Sequence, residues 1–152
     1  METQVSKKPN REPVSQLSIF ADNKVGRLNE VIQRLAEKKI HIMAISLLDS
    51  TECTIMRFIV DDFDGASELL TQLGYAFTTT EIVVVEINTE ADIRFITAAL
   101  VEAETNIHYV YPFVMRPNNK SALAISLEDN DIARSVLESR GHKVLDATDI
   151  YR

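Results

Sequence analysis

Cysteine is nearly missing from this chain. The single Cys53 cannot form an internal disulfide, and no cluster of His and Cys has metal-ligand spacing. A disulfide framework and a zinc site are therefore excluded, and a reducing, cytoplasmic setting is expected. Long apolar runs are missing too. The longest of interest is Ile82-Val83-Val84-Val85, far short of the roughly 18 apolar residues a membrane-spanning helix requires, so no membrane association is expected. Positive charge is scarce: 16 Lys and Arg stand against 23 Asp and Glu, a net charge of −7. Such a surface repels a phosphate backbone unless its bases gather on one face, and nucleic acid is not an expected partner. The opening segment from Met1 to Pro13 lacks the apolar stretch of a signal peptide. It reads as a solvated, flexible tail over residues 1–14.

What is present is a repeat. The 152 residues, 45% of them hydrophobic, supply one ordinary domain or two small ones. Two similar turns, Gln72-Leu73-Gly74-Tyr75 and Ser139-Arg140-Gly141-His142, lie 67 residues apart. At that spacing Val60-Asp61-Asp62 matches Leu127-Glu128-Asp129, Ala66 matches Ala133 and Leu70 matches Leu137. Further back the spacing falls to 65, where Leu28, Val31 and Leu35 match Ile93, Ile96 and Leu100. The difference of two fits a longer loop at Arg116-Pro117-Asn118-Asn119-Lys120, rich in turn-forming residues. The chain therefore divides into residues 15–81 and 82–152, two copies of one unit.

Within the first copy, Leu17, Ile19 and Ala21 alternate with Gln16, Ser18 and Phe20, the period of a strand. Leu28, Val31, Ile32 and Leu35 then form one apolar helical stripe. Residues 40–48 and 53–60 are rich in β-branched and apolar types and flank the polar Asp49-Ser50-Thr51-Glu52, as in a hairpin. Ala66, Leu69, Leu70 and Leu73 give a second amphipathic helix ended by Gly74, and a last strand covers residues 75–81. The second copy repeats this order through residues 82–87, 91–103, 107–115, 121–127, 131–139 and 144–151. The fold class is α+β: two tandem ferredoxin-like βαββαβ units with antiparallel sheets.

The loop after the first strand, Asp22-Asn23-Lys24-Val25-Gly26-Arg27-Leu28, resembles the ACT-domain signature Asp-x-x-Pro-Gly-x-Leu. Downstream, Lys39-Ile40-His41-Ile42-Met43-Ala44-Ile45-Ser46 is similar to that family's second strand. The match spans nearly all the chain past residue 15. Val25 stands where proline is usual, and the corresponding loop of the second copy, Asn88-Thr89-Glu90-Ala91-Asp92-Ile93, has no glycine, so it reads as degenerate. The resemblance implies a regulatory module that binds a small effector, usually an amino acid, between ACT units. It would act on a partner enzyme that the sequence does not name. The implied ligand contacts are Asp22, Asn23, Lys24, Val25, Gly26, Arg27 and Leu28, with Met43, Ile45 and Ser46 of a facing unit lining the side-chain pocket.

Elementary chemistry points the same way. Unpaired N–H groups and the positive end of a helix dipole suit a carboxylate, and Gly26 lets backbone approach without a Cβ. Asp22 and the Asn23 amide oxygen suit an ammonium, although plain helix capping would also account for both. A scaffold that binds protein and no small ligand is the alternative reading.

Other residues carry bland readings. His41 aligns with Asn106 and His108 with Met43, so neither histidine repeats as a metal pair would, and no metal is expected. Cys53 has no neighbouring base to activate it. Asp61, Asp62 and Asp64 suit the start of a helix better than a calcium loop. Tyr109, Tyr111 and Phe113 alternate on one strand and are expected between sheets or in a pocket wall. No nucleophile with its base, carboxylate pair or phosphate loop can be assembled, so neither catalysis nor a cofactor is expected. On the third strand, either Thr54, Met56, Phe58 and Val60 face the helices or Cys53, Ile55 and Ile59 do. Both choices leave apolar side chains to cover, and a homodimer is expected.

Overall fold

The computed structural model describes residues 12–22 and 24–151. The first unit runs β1 (Val14–Ala21), α1 (Arg27–Glu37), β2 (Ile42–Asp49), β3 (Thr54–Val60) and α2 (Phe63–Gln72), and then enters β4 (Ala76–Ile87). The second leaves β4 through α3 (Glu90–Glu102), β5 (Ile107–Pro112), a 3-10 turn (Pro117–Asn119), β6 (Ser121–Leu127), α4 (Asn130–Ser139), β7 (Val144–Leu145) and α5 (Ala147–Ile150). The expected ferredoxin-like order is present in both, and the pairing is antiparallel throughout.

The boundary expected after residue 81 falls inside β4. Its first half pairs with β1, with Phe20 opposite Ala76 and Val14 opposite Ile82. Its second half pairs with β6 and β7, with Val84 opposite both Ala124 and Leu145. One twelve-residue strand thus serves both units, giving the strand path β2-β3-β1-β4-β6-β5. Residues 82–85 are fully buried because β4 is covered on both faces. The ends of the path meet: Val114 and Met115 N–H both donate to Met43 O, at 2.9 and 3.2 Å.

Three apolar clusters follow from the alternation along each strand. In the first unit Leu17, Ile19, Met56 and Phe58 meet Val31 and Leu35 of α1 and Leu70 of α2. The second has the equivalent cluster of Val83, Val85 and Ile125 against Ile96, Leu100 and Leu137. Between the units the helix-free faces pack together through Val14, Ala44, Ile59, Val84, Tyr111 and Ala124. The third strand therefore turns Thr54, Met56, Phe58 and Val60 to the helices, and the second unit covers Ile59.

Two differences from the sequence reading have local causes. The last strand was expected over residues 144–151, but β7 ends at Leu145. Asp146 accepts from Thr148 N–H at 3.0 Å while Asp149 accepts from Asp146 N–H at 3.0 Å, a reciprocal cap that starts α5. Of the expected tail, Val14 is fully buried in β1, and Glu12 O accepts from Ala147 N–H at 2.9 Å. Residues 1–11 lie outside the described residues.

A buried polar group sits between the units. Gln16 has no solvent exposure; its Nε2 donates to Tyr109 OH at 2.8 Å and to Ser18 Oγ at 3.0 Å, and Tyr111 OH donates to its Oε1. Arg57 lies 3.8 Å from the Tyr109 ring centroid. Burial, foremost, and the neighbouring Tyr109 push the Tyr111 phenol well above its usual pKa.

Candidate functional site

The loop between β1 and α1 is built by two tight contacts. Lys24 N–H donates to Asp22 O at 2.8 Å, and Glu30 N–H donates to Gly26 O at 2.9 Å as the helix begins. Gly26 is the N-cap and takes φ +91°, a left-handed conformation that other residues adopt at a cost. An added Cβ would meet no described atom beyond its chain neighbours within 4 Å, so that position is not crowded. Val25 points fully into solvent.

Asp22 does not cap α1. Its Oδ1 accepts from Arg27 Nε at 2.7 Å, and Lys24 Nζ lies 3.3 Å from Oδ2. Arg27 also reaches Glu30 Oε2 at 3.2 Å. The Arg27 hydrogen bond is the main reason the Asp22 carboxyl is held below the usual carboxylate range, with Lys24 adding to it against some desolvation. The capping explanation of Asp22 is thereby corrected: its partners are side chains. Asn23 lies outside the described residues.

The start of α1 differs from that of the other helices. Asp62 accepts from Gly65 N–H to open α2, Asp129 from Ile132 N–H to open α4, and Asp146 from Thr148 N–H to open α5. At α3, Asp92 turns back to accept from Asn88 and Thr89 N–H, at 2.8 and 3.1 Å. Those two backbone hydrogen bonds are the leading causes that lower its pKa. At α1, no side chain among the described residues caps the first turn. Among the described residues no side chain takes the N–H groups of the first α1 turn, of which that of Arg27 donates to Lys24 O at 3.3 Å, whereas the Asp92 carboxylate takes those of Asn88 and Thr89 just ahead of α3.

Met43, Ile45 and Ser46 do not join the loop within one chain. A bulge between Ile42 and Ala44 shifts the alternation, so Met43 packs into the inter-unit cluster and Ile45 against the helices. In register, Ala21 lies opposite Thr54 and Thr54 opposite Asp49. Ile45 is thus four residues from the loop end of β2, about 13 Å at a rise of roughly 3.3 Å per residue. Beside the loop lies a different cross-strand row, Phe20, Ile55 and Leu48, on the face away from the helices. Phe20 is 37% and Leu48 47% exposed.

The remaining candidates are structural. Asp61 ties β3 to the start of β2, accepting from His41 N–H at 2.8 Å and contacting Nδ1 at 2.8 Å. Asp62 caps α2 as anticipated. Tyr109 and Tyr111 stack in the inter-unit cluster. Sequence reasoning missed a cavity of about 460 Å³ beside the second loop, lined among others by Glu86, Asp92, Phe95, His142 and Lys143. The signal was available in the repeat, where His142 stands at the position of Tyr75.

A family model described as an ACT domain pair matches residues 13–151, nearly the whole described chain. The chain belongs to that family. This ACT domain pair is similar to the crystal structure of protein BT0572 from Bacteroides thetaiotaomicron, at 30% identity and a TM-score of 0.83, covering 94% of this chain and 99% of that one. It shares its fold with the regulatory subunit of aspartate kinase from Thermus thermophilus (18% identity, TM-score 0.61, 84% and 89% covered). The corresponding subunit from Thermus flavus is similar in the same way (16% identity, TM-score 0.57, 84% and 92% covered). Comparison with curated proteins finds none that matches the chain.

Proposed function

We propose that this ACT domain pair is a regulatory module that binds a free L-amino acid and carries no catalytic chemistry of its own. The observation that carries the reading is the contrast among helix starts: α1 begins at a left-handed glycine with its first turn uncapped by any side chain among the described residues, beside an acidic and two basic groups. Open N–H groups and the helix dipole receive the α-carboxylate. Asp22 receives the ammonium by exchanging one of its present partners. The row of Phe20, Ile55 and Leu48 adjoins the loop and supplies an apolar surface for a second copy, whose Met43, Ile45 and Ser46 would complete the pocket. Such a homodimer rests on this row, since the second unit already covers Ile59. The similarity to regulatory subunits of aspartate kinase supports an effect exerted on a separate enzyme.

Screening the common amino acids by thermal shift tests this. A ligand at about 100 times its dissociation constant adds roughly 2.7 kcal/mol, and at roughly 2–4 °C per kcal/mol the shift is easily measured. The alternative, a ligand-free interaction scaffold, is favoured by one fact: Asp22 is already paired with Lys24 and Arg27. It predicts no shift with any amino acid.

A further inference from the structure

The cavity of about 460 Å³ in the second unit has a cause in the repeat. The spacing of 65 sets Arg27 against Asp92 and Glu30 against Phe95, and the spacing of 67 sets Tyr75 against His142. In the first unit Tyr75 packs on the helix-side cluster with its hydroxyl buried, and Arg27 is ion-paired to Glu30. In the second unit the shorter His142 replaces the tyrosine, and Phe95 points outward at 52% exposure. The space between the first turn of α3 and the α4–β7 turn is left open.

Charges around it are unevenly matched. Arg140 is ion-paired to Glu102, the buried Glu86 lies 3.2 Å from Lys120, and Asp92 is bonded to two backbone N–H groups. Lys143 has no ion-pair partner among the described residues, and His142 lies close enough to Asp92 to help lower that carboxyl's pKa. Phe95 and Ala98 supply apolar lining to the same cavity.

We propose that this cavity is a second small-molecule site, one that takes a small organic anion with an apolar body. The carboxylate pairs with Lys143 and His142, and the body lies on Phe95 and Ala98. Side-chain cations do here what open helix N–H groups do in the first loop, so a degenerate second loop is no obstacle. The inference goes beyond the amino-acid reading and does not depend on it.

The test is an NMR titration of the isotope-labelled full chain with phenylacetate, with phenethylamine and acetate as controls. Phenylacetate is expected to shift the Phe95, Ala98, His142 and Lys143 signals saturably below about 10 mM, with the controls at least tenfold weaker. Lys143→Gln and Phe95→Ser, both at exposed positions, should each weaken it roughly tenfold. They should leave any amino-acid response intact, just as Gly26→Asn should leave phenylacetate binding intact. Unsaturable or scattered shifts, equal binding of phenethylamine, or unchanged affinity in both variants would overturn the proposal.

Discussion

Gln16 of the first unit, which is fully buried, and the half-buried Tyr109 of the second share a hydrogen bond of 2.8 Å. A buried amide that also accepts from Tyr111 links the two units, and removing it leaves two tyrosine hydroxyls without this partner between them. Gln16→Leu should therefore lower stability by about 1–3 kcal/mol. Calorimetry should show one transition for the wild-type chain and one earlier transition for the variant. Two separate transitions in the wild-type chain would mean that the units fold independently.

The Asp22–Arg27 pair makes a prediction in pH. Because the carboxyl is held below its usual range chiefly by Arg27, Arg27→Gln should raise the Asp22 pKa, read by NMR titration of the side-chain carboxyl. Its folded value is depressed, so the pair's contribution is present above the unfolded carboxylate pKa and is lost as pH falls through the folded one. Both groups are solvent-exposed, so the effect on melting should be small. An unchanged Asp22 titration in Arg27→Gln would contradict the pairing.

Asp22→Ala separates ligand contact from structure more cleanly than sequence reasoning allowed. As Asp22 caps no helix, its loss should scarcely change melting. Amino-acid affinity should fall by the value of a charge-assisted hydrogen bond, roughly 1.5–3 kcal/mol or ten- to a hundred-fold. Loss of stability with unchanged affinity, measured by calorimetry, would favour the scaffold.

Much of the fold was legible because every unit element carries its own period. The stripe Leu28, Val31 and Leu35 and the alternation of Leu17 and Ile19 each name a face, and the repeat confirms both. The shared β4 was harder to see, since residues 75–81 and 82–87 each read as a complete strand. The α5 turn was missed although Asp146 and Asp149 have capping-box spacing. At the first loop, sequence reading found the glycine and the open helix start, whereas the pairing of Asp22 with Arg27 depends on a loop conformation that composition does not encode. The Gln16 network joins residues 93 and 95 positions apart. Within β1 alone Gln16 reads as a solvent-facing polar residue.

The row of Phe20, Ile55 and Leu48, exposed at its two ends, gives a prediction about assembly. Sedimentation at tens of micromolar should show a dimer, and Leu48→Glu should yield a folded monomer, because a charge there cannot be desolvated without a partner. A wild-type monomer would contradict the dimer and with it the contribution of Met43, Ile45 and Ser46 from a second copy.

Gly26 carries the most direct test. Asparagine tolerates left-handed backbone better than other side chains, and a Cβ at Gly26 would meet no described atom beyond its chain neighbours within 4 Å. Gly26→Asn should therefore fold, melting somewhat below the wild-type chain because its φ of +91° strains any side chain, while placing an amide where the ligand's carboxylate would lie. Titration calorimetry of both chains against the common L-amino acids, well below melting, is the decisive measurement. The account predicts saturable heat for the wild-type chain with at least one amino acid and none for Gly26→Asn. No heat with any amino acid, or equal affinity in the two chains, would contradict it.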